Sequence, residues 1–209
     1  MKIFSFEGIE GVGKSTQINL LKNYLEENGH STEIVREPGS TVTGESIRSI
    51  LLDSKENLSS ETELLLMFAA RAQLISEKVS NSNSDVVLFD RFYDASVAYQ
   101  GFGRNLSIDF INNLIEFSNC PEPNLTFLLD ISVKDGFGRK VNDIKDRIES
   151  SGNEFFEKVR NGYLEIANNN QNRIKIINAK QSIDDIHHSI ISHVTVSYTH
   201  LTLPTTRCV

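Results

Sequence analysis

The sequence predicts a three-layer α/β fold, in which a five-stranded parallel sheet is covered by helices on both faces. Five short apolar runs alternate with longer segments whose apolar residues recur at helical spacing. Such alternation is typical of parallel sheets with crossover helices. A glycine-rich turn directly follows the first apolar run, as in many proteins of this class. The chain has 209 residues, which is enough for one domain of this kind.

The predicted elements follow in order from these patterns. Strands are expected at 2–6, 32–35, 86–90, 125–129 and 174–177. Helices are expected from about residue 14, around 47–51, and at 60–79, 93–99, 108–117, 132–139, 155–166 and 182–191. Ser60 and Glu63 have the spacing of a capping box at the start of the third helix.

Composition excludes several classes of function. The net charge of −7 argues against binding to nucleic acid or to an anionic membrane, and no apolar run reaches membrane-spanning length. The two cysteines, Cys120 and Cys208, indicate neither a disulfide framework nor a metal knuckle. Because no basic and apolar leader precedes the first strand, a cytoplasmic location with free thiols is predicted.

The turn after the first strand carries the strongest chemical signal. Gly8–Ser15 matches the phosphate-binding pattern G-x-x-x-x-G-K-S, with a strand before it and a helix after it. Its backbone N–H groups would surround phosphate oxygens, Lys14 would reach the β- and γ-phosphates, and Ser15 would ligate Mg²⁺. The predicted nucleoside triphosphate site comprises Gly8, Gly11, Val12, Gly13, Lys14, Ser15 and Thr16. The alternative is a chance glycine-rich turn.

Two further polar positions lie at the ends of predicted strands. Asp90 ends the third strand, where an acid in proteins with this loop helps to hold Mg²⁺. Arg36 and Glu37 end the second strand, and Pro38 and Gly39 turn the chain there. Ligands of open α/β folds bind at this edge of the sheet. The local sequence at Arg36 and Glu37, however, is also compatible with a plain surface turn.

Three stretches together resemble the thymidylate kinase family. They are Gly8–Ser15 with Glu10 inside, 36–39, and 90–101, which reads Asp-Arg-Phe-Tyr-Asp-Ala-Ser-Val-Ala-Tyr-Gln-Gly. The resemblance extends over residues 1 to about 194. It implies a P-loop fold with a short lid at about 139–152, and transfer of the γ-phosphoryl group of ATP to dTMP with Mg²⁺. It also implies a homodimer.

The resemblance assigns roles to individual residues. Arg91 would hold the acceptor phosphate, Glu10 would orient it, and Tyr99 would pack against the deoxyribose. Ser96 and Gln100 would line the base pocket. The complete dTMP site implied is Glu10, Glu37, Pro38, Arg48, Phe68, Arg71, Arg91, Ser96, Tyr99 and Gln100.

An aromatic residue and an arginine on one helix are implied to recognise the base. Phe68 would stack on thymine and Arg71 would donate a hydrogen bond to its O4. Many members of the family place the stacking phenylalanine four residues before the arginine, where this chain has Met67. The stacking position is therefore either 67 or 68.

The lid region would supply further cations. Arg147 is implied to act in catalysis with Lys14, Arg91 and Glu10, while Arg139 would stack on adenine beside Asn178 and Ala179. Lys140 and Lys145 lie in the same segment. A charged loop is otherwise usually a solvated one.

Two other functions compete with this interpretation. A GTP-hydrolysing switch protein would carry an Asn-Lys-x-Asp loop, whereas residues 178–181 read Asn-Ala-Lys-Gln and lack the acid that reads guanine. A kinase for another nucleoside or nucleoside monophosphate remains compatible with the motifs.

The last fifteen residues, 195–209, differ from the rest. They are rich in threonine and show no helical periodicity, and they resemble a translated sequencing-adapter read-through. We expect this tail to be foreign to a domain that covers 1–194; the alternative is a genuine strand or interface arm.

Overall fold

A computed structural model describes residues 1–140 and 146–199 of the chain. Its sheet has five parallel strands, as the sequence predicts, and their order is β2-β3-β1-β4-β5. The strands are β1 (Lys2–Glu7), β2 (Thr32–Arg36), β3 (Val86–Asp90), β4 (Leu125–Asp130) and β5 (Ile174–Asn178).

The helices connect these strands and cover the sheet. They are α1 (Lys14–Glu27), α2 (Val42–Leu52), α3 (Ser60–Leu74), α4 (Tyr93–Ser96), α5 (Ile108–Phe117), α6 (Val133–Gly138), α7 (Asn153–Asn169) and α8 (Ile183–Thr199). Two of them continue as π-helical segments, α3 into Ile75–Val79 and α4 into Val97–Gly103, and a 3₁₀ turn spans Glu149–Ser151. Within the described ranges, none of the helices is long and apolar enough to cross a membrane.

Both faces of the sheet are buried, because alternate strand residues enter different hydrophobic clusters. On one face Phe4 and Phe6 pack with Leu21 of α1 and with α8. On the other face Ile3 packs with Leu74 at the end of α3. This burial on both sides explains why the strands read as continuous apolar runs.

Strand register brings the ends of three strands to one place. Phe6 of β1 pairs with Asp90 of β3, and Asp90 pairs in turn with Arg36 of β2. The glycine loop after β1 therefore begins beside Asp90 and Arg91, which are distant in sequence.

The predicted capping box at the start of α3 is wrong. Ser59 is the N-cap, and its hydroxyl accepts a hydrogen bond from the Thr62 backbone N–H at 3.2 Å. Glu63 does not return to cap the helix, because its carboxylate is buried and accepts hydrogen bonds from Arg104 and Arg147.

The prediction that the last helix spans 182–191, with no helical continuation after residue 194, is also wrong. Helix α8 continues to Thr199, and Lys2 Nζ donates to the Ser197 carbonyl at 2.6 Å. His30 stacks on Tyr198 with 4.9 Å between ring centroids. These tertiary contacts stabilise a segment whose own helix propensity is weak. Residues 200–209 lie outside the described part of the chain, and a foreign origin for the tail stays a prediction.

Two truncations should separate the helical part of the tail from the remainder. Ending the chain after Thr199 should leave the thermal midpoint almost unchanged. Ending it after Val194 should lower the midpoint by a few degrees, because a loss of about 1 kcal/mol shifts Tm by about 2–4 °C in a chain of this size. Calorimetry of both variants would measure this, and an equal loss in both would show that 200–209 contribute to the fold.

Candidate active site

A cavity of about 510 Å³ opens at the carboxyl ends of β1, β2 and β3. The predicted site residues that line it come from separate stretches of the chain. They are Glu10, Gly11, Val12, Gly13, Lys14, Ser15, Thr16, Glu37, Pro38, Arg48, Arg71, Asp90, Arg91, Ser96, Tyr99, Gln100 and Arg139. The structure thus gathers most of the predicted phosphate and acceptor residues around one space.

The glycine loop has the backbone conformation that its sequence predicts. Gly11 and Gly13 have φ values of 72° and 93°, in the left-handed region that favours glycine. A Cβ atom on Gly11 would lie 2.0 Å from the carbonyl oxygen of Gly136 in α6. Glycine at position 11 is therefore required by space as well as by conformation.

Lys14 is held against this loop. Its Nζ donates to the carbonyl oxygens of Gly8 at 3.2 Å and Ile9 at 3.1 Å. Burial, together with the nearby charge of Arg91, lowers the pKa of Lys14 to about 8. Contact with a negatively charged phosphate would favour the protonated form.

Ser15 and Asp90 form the candidate metal site. The Ser15 hydroxyl donates to Asp90 Oδ2 at 3.2 Å, so two oxygen ligands converge beside the loop. In the described residues no group of three or more His, Cys, Asp and Glu side chains could hold a metal. One carboxylate and one hydroxyl fit Mg²⁺, which is usually completed by water and substrate phosphates.

Arg91 lies at the centre of a second group of predicted residues. Its backbone φ is 68°, and its side chain forms an ion pair with Glu10 and donates to the Gly8 carbonyl at 2.8 Å. Tyr99 donates its hydroxyl to Glu10 at 3.1 Å. Burial opposes the charge on Arg91, but Glu10 outweighs it and raises the pKa of the guanidinium. A fixed cation is thus placed next to the glycine loop.

The far end of the cavity contains a buried ion pair. Arg71 donates from Nε to Glu37 at 2.8 Å and from Nη1 to the Ser96 hydroxyl at 3.1 Å. Its side chain is 2% exposed, and Glu37 holds it in one orientation. Nearby, Arg48 donates to the Pro38 carbonyl at 2.9 Å, which ties α2 to the turn after β2.

Of the two candidate stacking residues, Phe68 does not line this cavity, and its stacking role stays a prediction. It is 4% exposed and packs against Leu64, Val97 and Ile111. Met67 lines the cavity instead. The reason is helical geometry, since neighbouring residues on a helix point about 100° apart and only one of the two can face the space.

Arg147 is not among the residues that line the cavity, and its catalytic role stays a prediction. Its Nη2 donates to Glu63 at 2.7 Å and its Nε donates to the Leu51 carbonyl at 2.9 Å. The buried Glu63 carboxylate attracts this guanidinium as well as that of Arg104. Lys140 lines the cavity and pairs with Glu149, whereas Lys145 lies outside the described residues.

Arg139 connects the loop to the turn after β5. It donates to the Ala179 carbonyl at 2.9 Å and to the Gly11 carbonyl at 3.5 Å. Asn178 accepts the Lys180 backbone N–H at 3.0 Å. Asn178, Ala179 and Gly8 do not line the cavity themselves, but Arg139 links Ala179 to its rim.

Comparison with known proteins identifies the family. The sequence model described as thymidylate kinase matches residues 6–190. The chain belongs to the thymidylate kinase family. A thymidylate kinase of Kosmotoga olearia is 45% identical over 191 residues, covering 90% of this chain and 92% of the relative. A thymidylate kinase of Chlorobaculum tepidum is 41% identical over 206 residues, covering 92% of this chain and 96% of that one.

A solved member of the thymidylate kinase family also shares the fold. The crystal structure of thymidylate kinase from Ehrlichia chaffeensis matches with a TM-score of 0.77 and 31% identity. The match covers 93% of this chain and 98% of that one. The resemblance inferred from three short stretches is therefore confirmed across the domain.

Sequence reasoning missed three buried polar residues near the site, Glu7, Glu63 and Tyr163. Glu7 offered a signal, since it is an acid that directly follows an apolar strand and precedes the glycine loop. Glu63 and Tyr163 offered none, because their partners come from distant segments.

Proposed function

We propose that this chain transfers the γ-phosphoryl group of ATP to dTMP, giving dTDP and ADP. The observation that carries this proposal is a cavity in which a phosphate-binding loop and the Arg91–Glu10–Tyr99 group lie side by side. Membership of the thymidylate kinase family supports the choice of substrates. The product would serve the synthesis of dTTP.

The donor side uses the glycine loop. Backbone N–H groups at the start of α1 and the charge of Lys14 would bind the β- and γ-phosphates of ATP. Arg139, which donates to the Ala179 carbonyl, would contact adenine. Ser15 and Asp90 would hold Mg²⁺, which when bound neutralises charge on the phosphates.

The acceptor side uses Arg91. Its guanidinium suits two oxygens of a monophosphate, and its pairing with Glu10 would hold it in one orientation for the acceptor. The acceptor phosphate is already anionic, so no general base is required. Positioning and charge neutralisation can therefore carry the reaction. Tyr99 would lie against the deoxyribose and disfavour a 2′-hydroxyl.

A product assay tests this function against its alternatives. The protein is incubated with ATP, Mg²⁺ and a panel of nucleosides and nucleoside monophosphates, and the products are separated by chromatography. We expect dTDP and ADP in equal amounts from dTMP. Phosphorylation of a nucleoside alone would indicate a different kinase, and hydrolysis of GTP without an acceptor would indicate a switch protein.

The stacking position should be resolved by two matched variants. Met67→Ala should weaken the binding of dTMP and of dCMP to a similar extent and raise both KM values, because Met67 lines the cavity. Loss of such a contact costs about 1–2 kcal/mol, or roughly 5- to 30-fold. Phe68→Ala should mainly lower the thermal midpoint, since its ring lies in the core. The reverse pattern would return the stacking role to Phe68.

We also propose a homodimer formed through apolar helix surfaces. Leu65 of α3 is 53% exposed, and Phe110 and Phe117 of α5 are 50% and 80% exposed. Exposed side chains of this size are common at subunit interfaces. Sedimentation should show a dimer that Leu65→Glu weakens, while Ile183→Glu on α8 leaves it intact. A monomeric wild-type protein would contradict this.

A cytoplasmic location stays a prediction.

A further inference from the structure

Glu7 is a buried carboxyl that the proposed reaction does not use. It is the last residue of β1, directly before the glycine loop, and its exposed fraction is 0%. Oε1 accepts a hydrogen bond from the Phe92 backbone N–H at 2.7 Å. Oε2 accepts one from the Tyr163 hydroxyl at 2.8 Å. Burying a carboxyl group without hydrogen-bond partners is costly. The two partners of Glu7 therefore explain how it can be buried there.

Both hydrogen-bond partners of Glu7 lie next to Arg91. Phe92 is the next residue in the chain, so its N–H belongs to the peptide that follows the Arg91 Cα. The Tyr163 hydroxyl in turn accepts a weak hydrogen bond from Arg91 Nη1 at 3.4 Å. Glu7 therefore holds Arg91 at two points, the backbone beside its Cα and the hydroxyl beside its guanidinium.

The backbone of Arg91 needs such support. Its φ of 68° is a left-handed conformation that is unfavourable for a non-glycine residue. The Arg91 N–H donates to the Phe6 carbonyl at 3.1 Å on one side, and the Glu7–Phe92 hydrogen bond closes the other side. Loss of the second bond would remove this restraint on the peptide after Arg91 and leave the side chain held only by its contacts with Glu10, Gly8 and Tyr163.

We propose that Glu7 is a positioning residue for phosphoryl transfer, which acts by holding Arg91 in the orientation that receives the acceptor phosphate. This inference rests on the proposed function, because it assumes that Arg91 binds the acceptor. A displacement of about 1 Å at such a group can cost about 100-fold in rate. Glu7 should therefore affect the acceptor more strongly than the donor.

The surroundings of Glu7 suggest a conservative replacement. Burial and the nearby Asp94 raise the pKa of Glu7 to about 8, while Arg91, Tyr163 and the Phe92 N–H oppose this rise. A neutral side chain of the same shape should thus fit. Glutamine keeps an oxygen for the Phe92 N–H and presents an amide to the Tyr163 hydroxyl, whereas methionine has the length but neither polar group.

The test compares Glu7→Met, Glu7→Gln and Tyr163→Phe, each alone and combined with Arg91→Ala. Steady-state rates with dTMP and ATP are measured below the thermal midpoint of each variant. We expect Glu7→Met to lower kcat/KM for dTMP by about 30-fold or more, with a much smaller change in the KM for ATP. The kcat/KM for dTMP should stay within about 5-fold of wild type in Glu7→Gln, and it should fall by about 5-fold in Tyr163→Phe.

The combined variants decide the matter. If Glu7 and Tyr163 act through Arg91, neither substitution should cause a further loss once Arg91 is alanine. The same fold-loss in both backgrounds, or an equal rise in both KM values, would overturn the proposal in favour of a general structural role. Should Glu7→Met fail to fold, Tyr163→Phe in the two backgrounds distinguishes the same two roles.

Failure of the proposed function would look different. A wild-type protein inactive on dTMP contradicts that function directly. The same comparison is then made with whichever monophosphate the wild type phosphorylates, so the role of Glu7 is tested independently.

Discussion

Lys14→Met is expected to lower kcat by about 100-fold or more, equivalent to about 3 kcal/mol of transition-state stabilisation. Methionine matches the length of the lysine stem but carries no charge. In the structure Nζ is already within 3.2 Å of two loop carbonyls, so the ammonium group is held beside the place where phosphate charge develops. The loss should therefore appear in kcat rather than only in the KM for ATP.

A neighbouring lysine provides the control. Lys22 lies on the same helix, where it pairs with Glu26 at the surface. Lys22→Met should leave kcat within about 2-fold of wild type, since exposed ion pairs contribute little. Initial rates for both variants, with the thermal midpoint checked in each, measure the difference. Near-normal turnover by Lys14→Met would refute the phosphate-loop assignment.

Arg71→Ala is expected to lower kcat/KM for dTMP by roughly 10- to 100-fold, since hydrogen bonds to charged groups contribute about 1.5–3 kcal/mol. Thymine offers the O4 acceptor to this guanidinium, whereas cytosine offers an amino group. The loss for dCMP should therefore be much smaller, and the KM for ATP should barely change. Competition between dTMP and dCMP measures the preference directly.

Because Arg71 pairs with a buried carboxylate, its effect on stability must be separated from its effect on base recognition. Removing the guanidinium leaves the Glu37 carboxylate unpaired at 5% exposure, so a fall in stability is expected as well. Arg71→Lys keeps a positive charge near Glu37 but cannot reproduce the fork of donors. It should therefore restore much of the stability while the preference for dTMP stays reduced. Equal losses for dTMP and dCMP in both variants would assign Arg71 to structure alone.

Local sequence patterns predict the fold and the phosphate site because the causes are themselves local. Gly11 and Gly13 are required by backbone conformation, and the strands are apolar because both sheet faces are covered. The same holds for Asp90, which ends β3, and for Arg91, which follows it, because the parallel topology sets the neighbours of that strand.

Local patterns leave open those positions at which distant contacts decide where a side chain lies. Met67 and Phe68 are both apolar and adjacent, so local sequence does not distinguish them; Phe68 is buried in a cluster with Val97 and Ile111 from other segments. Arg147 lies in a cationic segment, but the carboxylate with which it pairs, that of Glu63, is 84 residues away in the chain. Helix α8 extends past Val194 because of Lys2 and His30, which no pattern within the helix reveals.

The Glu63 cluster has a consequence for how this sequence can vary. One carboxylate pairs with two guanidinium groups from separate segments, Arg104 and Arg147, and also accepts from the Gln100 amide at 2.9 Å. Replacing Glu63 alone leaves two cations without their counter-charge, and no single second substitution repairs both. We therefore expect strong epistasis among positions 63, 104 and 147, so that a substitution tolerated in one relative becomes deleterious when transferred singly into this chain.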